Sequence, residues 1–389
     1  MRSHATICIA TGTRADWGLL SPIATALRGD ERLAVQILAT NMQTLARFGN
    51  TADEIRADGF EIDALVPVPD GDDSEQSRAE AMSACLGGAA EAFGRLTPDA
   101  VVVLGDRFEM LAVASAAAVM RIPIVHISGG EITEGAVDDC LRHAITKLAT
   151  LHLTTTEAYR RRVISMGEEP ARVITIGAPG VWNAFNQSLP TDAELLNSLG
   201  IVGSPDTALV TFHPATLDPA DPVERFEAVV EALNRFKDLH IIITYPNNDA
   251  RSQGIISRIE AWAAAEPERV TAVKSLGMKR YLAASRLARV VVGNSSSGIV
   301  EVPSAGTPTV DIGIRQRGRV AGASVIHCGD SADEIADAIA RALSPEMQAL
   351  AARRENPYAQ ADTIGVAARA IADFVLNYDG APKKFYEPC

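Results

Sequence analysis

Short runs rich in Val, Ile and Ala alternate with Ala-, Leu- and Arg-rich stretches of helical length along nearly the whole chain. That alternation is the pattern of parallel sheets covered by helices. Thr6 to Thr11 reads as a buried strand, Gly12-Thr13-Arg14 as a turn and Ala15 to Leu27 as a helix. A second unit runs from strand Ala100 to Leu104 through helix Phe108 to Met120 into strand Pro123 to Ile127. Its crossover should be right-handed, which leaves the two strands parallel. The pattern is punctuated near Gly177-Ala178-Pro179-Gly180, and 189–205 is polar and turn-rich. The alternation then resumes with strands near 208–212, 240–245, 270–273, 290–293 and 309–312, and helices such as 251–264.

The 389 residues allow two to three domains at about 150 residues each. The expected architecture is α/β, with two Rossmann-like, doubly wound lobes and no sequence repeat between them. Hydrophobic residues at 47% and charged residues at 22% are ordinary for a globular chain and speak against disorder or fibrous structure. A net charge of -13 argues against nucleic acid or an anionic membrane as partner, while leaving room for one local basic pocket. Residues 1–11 lack the apolar segment of a secretory signal. The longest nearly apolar stretch, 111–120, is too short for a membrane span. A cytoplasmic protein is expected. Cys8, Cys85, Cys140, Cys328 and Cys389 are scattered with no CxxC pair, which fits reduced thiols better than disulfides or zinc.

In such folds ligands bind at the carboxyl ends of the strands, here in the cleft expected between the lobes. Every polar cluster of note follows a predicted strand. Thr11-Gly12-Thr13-Arg14-Ala15-Asp16 opens a helix, where free backbone N–H groups and Arg14 can meet an anion; a structural turn with a surface Arg is the other reading. Gly105-Asp106-Arg107 puts a carboxylate and a guanidinium at a buried strand tip, either for a purpose or as an internal Asp106–Arg107 or helix N-terminal contact. His126-Ile127-Ser128-Gly129-Gly130-Glu131, with Glu134, Asp138, Asp139, Arg142 and His143 beyond it, offers close backbone approach and carboxylates for acid and base roles. Metal binding is the rival there, but no HExxH-like spacing occurs, and His126 also reads as a hydrogen-bonded core histidine.

In the second lobe, His213-Pro214 ends one strand and Gly293-Asn294-Ser295-Ser296-Ser297-Gly298 ends another before a helix at 299–304. Hydroxyls at a helix start suit a diphosphate, and a plain N-cap turn is the alternative. Glu301 is placed to reach a ribose diol, while Arg315, Arg317 and Arg319 serve either an anion or a solvated loop. Asp70-Gly71-Asp72 resembles a glycosyltransferase DxD but reads as a solvated turn in a Pro/Gly/Ser-containing loop.

In order and spacing these pieces resemble the hydrolysing UDP-N-acetylglucosamine 2-epimerase family, in its sialic- and legionaminic-acid branch. The residues are 11–16, Gly105-Asp106-Arg107-Phe108-Glu109, 126–131 with Asp138-Asp139 and 142–147, Phe212-His213-Pro214, 245–249, and 293–296 through Gly306-Thr307-Pro308 to Arg315-Gln316. The resemblance implies a glycosyltransferase-B-like fold with domains at 1–185 (sugar and carboxylates) and 186–362 (nucleotide), and a helix and tail at 363–389 packing back on the first lobe. It implies no cofactor and no metal, a sugar nucleotide and water as partners, and a homo-oligomer, dimer or tetramer. Elimination of the nucleotide diphosphate from C1 with loss of the C2 proton gives a glycal, and water then adds at C1.

Because C2 is not next to a carbonyl, its proton becomes acidic only as the C1–O bond breaks, so stabilising the departing diphosphate is the main demand. Arg14, His213, Ser295, Ser296 and Arg315 are candidates for that work, with Arg107 and Ser128 as further substrate contacts. By motif position Asp106 and Asp138 carry over as acids or bases and Glu301 as the ribose ligand. Many relatives carry Glu before Gly-Gly where this chain has Ser128, and Glu131 is the expected replacement. Asn356-Pro357-Tyr358-Ala359-Gln360-Ala361-Asp362 departs from the more common Asn-Pro-Tyr-Gly. The expected substrate is UDP-N-acetylglucosamine, ahead of UDP-2,4-diacetamido-2,4,6-trideoxyglucose and GDP-N-acetylglucosamine. A glycosyltransferase and a non-catalytic sugar-nucleotide sensor are the rival classes.

Overall fold

The computed structural model describes residues 2–45, 52–72, 74–247 and 249–387. The chain divides into two compact units, Met1–Glu131 with Asp138–Trp182 and Gln360–Cys389, and Ile132–Val137 with Asn183–Ala359. Strands of the first unit are β1 (Ala5–Thr11), β2 (Leu33–Thr40), β3 (Ala64–Val66), β4 (Ala100–Leu104), β5 (Ile124–Ile127), β6 (Leu151–Thr154) and β7 (Val173–Thr175). They form one sheet in the order β3-β2-β1-β4-β5-β6-β7, with every pairing parallel. The second unit has β8 (Thr207–Thr211), β9 (His240–Thr244), β10 (Val270–Val273), β11 (Val290–Gly293), β12 (Thr309–Ile312) and β13 (Val325–Cys328). Their order is β10-β9-β8-β11-β12-β13, again all parallel.

The continuous apolar runs are explained by helices on both faces, since a strand such as Ala100–Leu104 is buried at every position. In each sheet the strand order reverses at one place, between β1 and β4 in the first and between β8 and β11 in the second. The crevice at such a reversal is where open α/β sheets take ligands. The loops after β1, β4, β8 and β11 are among those the sequence singles out, together with those after β5 and β12.

Helix Thr363–Asn377 packs on the Arg14–Arg28 helix and on β1 and β6, as expected of the C-terminal element. Ile364, Ala367, Ile371, Val375 and Leu376 join Ile7, Ile9, Leu20 and Ile23 in one core. Among the described residues, no helix is long and apolar enough to cross a membrane. Cys8, Cys85, Cys140 and Cys328 are free thiols, and Cys389 lies outside the described residues.

Several details differ from the sequence reading. The stretch 189–205 contains a helix, Asp192–Ser198, opened by a Thr191–Glu194 capping box. Leu195 and Leu196 bury against Leu209 and Ile242, so the Thr-x-x-Glu signature outweighs the polar composition. A further helix, Pro179–Asn186, begins inside the Gly/Pro punctuation. The helix expected at 299–304 is two short ones, Ser296–Val300 and Val302–Ala305, meeting at Glu301 with a proline in the second. Residues 132–137, placed with the first lobe in the sequence reading, group with the second unit. There the Glu134 amide donates to the Arg317 carbonyl at 3.3 Å and the Leu217 amide to the Gly135 carbonyl at 3.2 Å.

Candidate active site

In the first unit the polar groups gather where β1, β4 and β5 end. Arg142 lies on the inward stripe of helix Asp138–Leu148 with Ile145 and Thr146. Its guanidinium pairs with Asp106 and donates from Nη1 to the Glu131 carbonyl at 2.9 Å, with the Asp139 carboxylate 3.6 Å away. The Arg142 side chain is 1% exposed and that of Asp106 23%, so the cation is sealed while the carboxylate keeps access. A charged partner held from two sides fixes orientation as well as charge. Asp106 therefore pairs with Arg142, a partner 36 positions away.

Glu131 is buried, and its Oε1 accepts from the Thr155 hydroxyl at 2.7 Å. Asp138 opens the helix that carries Arg142, half-buried at the end where the helix dipole favours an anion. Ser128 has φ +64, a left-handed conformation that costs a serine about 1 kcal/mol or more, and its amide donates to the Leu153 carbonyl at 2.9 Å. His126 is buried, with Nε2 2.8 Å from the Gly105 carbonyl and Nδ1 3.2 Å from the Thr146 hydroxyl. Burial pushes its pKa down to about 3, so a neutral ring braces the turn that presents Asp106. It is a hydrogen-bonded core histidine. Among the described residues no group of three or more His, Cys, Asp or Glu is arranged to hold a metal ion.

The loop after β1 departs from the expectation of free amides. The Gly12 and Thr13 N–H groups donate to Asp16 Oδ2 at 3.2 and 2.9 Å, and Thr13 in turn caps the helix. Arg14 pairs with Glu54 at 3.1 Å. Arg107 donates from Nε to Glu109 Oε1 at 2.8 Å, and Glu109 is fully buried. Burial, and then the nearby Glu109 carboxylate, raise the Asp16 pKa to about 6.

In the second unit Asn294 organises the site. Gly293 has φ +148, and a Cβ there would lie 1.9 Å from the Thr211 carbonyl oxygen, so only glycine lets β11 end this close to β8. The approach lets Asn294 Oδ1 accept from the His213 amide at 2.7 Å while its Nδ2 donates to the His213 carbonyl at 2.8 Å. The Asn294 carbonyl in turn accepts from Arg315 Nη1 at 3.0 Å and Gln316 Nε2 at 2.9 Å. His213 is buried, and its Nδ1 accepts from the Asn247 amide at 3.2 Å with the Asp249 carboxylate 3.7 Å away.

Ser295 is the N-cap residue of the short Ser296–Val300 helix, with its hydroxyl accepting from Ser297 rather than from a helix amide. Ser297 also bonds Tyr281, whose phenol is pushed up to about 12 mainly by burial, with the Glu301 carboxylate nearby. A hollow at the ends of β8, β11 and β12 is lined by Phe212, Asn294, Ile312, Arg315 and Arg225 among others. Arg315 is half-buried beside it, whereas Arg317 is exposed. Asn356 ties to this region through the Val300 carbonyl and the Ser304 hydroxyl, each at 2.7 Å.

Thus Arg142 links Asp106 to the Glu131 backbone in the first unit, with Asp138 at the start of the helix that carries it and Ser128 in the loop after β5, and His213, Ser295, Ser296, Glu301 and Arg315 lie on the corresponding loops of the second. Asp70-Gly71-Asp72 stands apart: Asp72 accepts from Ser74 and Ser77 at a helix start, which holds its carboxyl at about 2. Asn248 of the 245–249 motif lies outside the described residues. The sequence reading gave Arg142, Glu109, Asp16 and Asn294 no role. For Arg142 a signal existed: a lone arginine on the apolar stripe of an amphipathic helix.

The family described as UDP-N-acetylglucosamine 2-epimerase matches residues 25–375. The polysialic acid biosynthesis protein P7 of Escherichia coli is 35% identical over 381 residues, 98% of this chain and 97% of that protein. The GDP/UDP-N,N'-diacetylbacillosamine 2-epimerase (hydrolyzing) of Campylobacter jejuni is 35% identical over 324 residues, 83% of this chain and 84% of that protein. In fold, the UDP-GlcNAc 2-epimerase of Neisseria meningitidis bound to UDP-GlcNAc superposes with a TM-score of 0.77 at 16% identity, covering 95% of this chain and 99% of that one. The chain belongs to the UDP-N-acetylglucosamine 2-epimerase family, among relatives that include hydrolysing 2-epimerases.

Proposed function

We propose that the protein is a hydrolysing nucleotide-sugar 2-epimerase. It takes a UDP-N-acetyl amino sugar, UDP-N-acetylglucosamine in the first instance, and water to the free 2-epimer of the N-acetylmannosamine type and UDP. The observation that carries the reading is Arg142 holding the Asp106 carboxylate and the Glu131 backbone together at the ends of neighbouring strands. Two carboxylates on adjacent strand ends, in unlike surroundings, suit a reaction that must take a proton from C2 and return one to the other face.

In the first half-reaction a carboxylate removes the C2 proton while the C1–O bond breaks, the bonding pair leaving with UDP and the C2–H pair forming the glycal double bond. In the second, water adds its oxygen to C1 and C2 is protonated. Asp106, Glu131 and Asp138 are the groups assigned to these transfers, with Glu131 in place of the glutamate missing at Ser128. His213, Arg14, Arg315, Ser295 and Ser296 are assigned to the diphosphate, Glu301 to the ribose, and Arg107 and Ser128 to further substrate contacts. The first unit then handles the sugar and the second the nucleotide. A cytoplasmic place accompanies this reading from the composition of residues 1–11, and a dimeric or tetrameric assembly by family resemblance, which light scattering tests.

A 4-acetamido-6-deoxy substrate is the second reading, favoured by the names of the Campylobacter relative and of a UDP-N,N'-diacetylbacillosamine 2-epimerase (hydrolyzing) of Legionella pneumophila, also 35% identical. The test is NMR in deuterated water with UDP-N-acetylglucosamine, its 2,4-diacetamido-2,4,6-trideoxy analogue and GDP-N-acetylglucosamine. Free nucleotide with a 2-epimeric sugar deuterated at C2 is the expected result and names the substrate. No turnover of any of the three overturns the reading.

A further inference from the structure

The tail beyond helix Thr363–Asn377 makes a set of contacts that the proposed chemistry does not use. Lys383 Nζ donates to the carbonyls of Lys147 and Ala149, each at 2.7 Å, with the Thr146 carbonyl at 3.4 Å. These are carbonyls at the end of helix Asp138–Leu148, where acceptors lack intrahelical partners and the dipole is negative. The ammonium also lies 2.7 Å from Glu168, whose side chain is 2% exposed. Glu168 gathers Lys147 at 2.5 Å and His152 at 2.9 Å as well. Burial alone would raise the Glu168 carboxyl, but hydrogen bonds from His152, Lys147 and Lys383 outweigh it and hold it at about 2.

Two more contacts fasten the same tail. The Tyr386 amide donates to the Gly167 carbonyl at 2.8 Å. The Phe385 ring lies directly over Gly167, where a Cβ would come within 2.4 Å of it, and the Lys147 ammonium sits 4.9 Å from the ring centroid.

We infer that residues 381–386 clamp the carboxyl end of helix Asp138–Leu148, and that Lys383 is a positioning residue for the Arg142–Asp106 pair carried by that helix. Thr146, whose carbonyl faces Lys383, stands one turn from Arg142, bonds the Arg142 carbonyl at 3.0 Å and faces the His126 ring that braces Gly105. An 11-residue helix moves as a rod roughly 16 Å long. Releasing one end therefore displaces the guanidinium that aims Asp106, and about an ångström of misplacement is enough to slow a reaction severalfold or more.

The inference rests on the epimerase reading for its catalytic consequence, and the experiment separates the two. Full-length Lys383→Met, Lys383→Arg and, as control, Lys384→Met are compared with wild type for kcat and KM in release of nucleoside diphosphate. Hydrogen exchange of the amides at 142–149 is followed in parallel. Lys383→Met is expected to lower kcat about tenfold with KM within about twofold, and to speed exchange at 142–149. Lys383→Arg should restore most of both, and Lys384→Met should match wild type. Wild-type kcat in Lys383→Met, unchanged exchange at 142–149, or an activity loss that follows only the unfolded fraction overturns the inference. If wild type itself turns over no sugar nucleotide, the epimerase reading fails, while the exchange data still decide whether the clamp exists.

Discussion

The Arg142 guanidinium is shut into the core of the first unit while the Asp106 carboxylate it pairs with stays partly open. A buried cation of this kind needs its partner, because desolvating it alone is costly. The open side of the pair is thus the acid, and its orientation is set from beneath.

Replacing Arg142 tests this directly. Arg142→Leu removes a buried charge partner and should cost about 3–5 kcal/mol in urea denaturation. Arg142→Lys keeps the charge but lacks the planar fork that serves Asp106 and the Glu131 carbonyl together. A folded Arg142→Lys protein with kcat/KM lowered at least about tenfold is expected; full activity would dismiss the orienting role.

Asp106→Asn should keep the shape of the site and lose its proton chemistry. Turnover is expected to fall by about 10² or more, with nucleoside diphosphate binding by calorimetry within about twofold. A sugar-nucleotide sensor would instead keep its function in this variant. Glu131→Gln is expected to alter the pH–rate profile, and a superimposable profile would remove Glu131 from proton transfer.

Periodicity made most of the sheet scaffold legible, because buried parallel strands are continuous apolar runs and their order follows from helical crossovers. Strands such as Ala64–Val66 and Val173–Thr175 escaped because three residues carry no period. Asp106 and His213 were legible as polar residues at strand tips. Their partners were not, since Asp106 meets Arg142 across 36 positions and His213 meets Asn294 across 81. Local spacing suggested Asp106–Arg107, and only the packing of helix Asp138–Leu148 onto β5 brings Arg142 to Asp106.

Asn294 gives a prediction for the second unit. Asn294→Ala leaves the buried His213 amide and carbonyl without the partners that now satisfy them, at a cost of about 1–3 kcal/mol each. Urea denaturation should show a loss of about 2–4 kcal/mol, and the affinity for nucleoside diphosphate should fall severalfold as His213 and Arg315 lose their anchor. Unaltered nucleotide affinity by calorimetry would detach Asn294 from the nucleotide site.

Asp16 supplies a pH-dependent test whose sign is fixed by its environment. Burial and the Glu109 carboxylate raise its folded pKa from 3.8 to about 6, so the folded state binds a proton that the unfolded chain has released. The protonated acid stabilises the fold fully below about pH 3.8, and that contribution is lost as pH rises through about 6. Asp16→Asn carries a neutral side chain at every pH and can still accept from the Gly12 and Thr13 amides through its carbonyl oxygen. Its stability relative to wild type should therefore rise by on the order of 3 kcal/mol between about pH 3.5 and pH 6.5, read from urea midpoints across that window. A flat difference would mean that Asp16 ionises at its ordinary pKa, with the Arg107 guanidinium and the helix amides offsetting its burial.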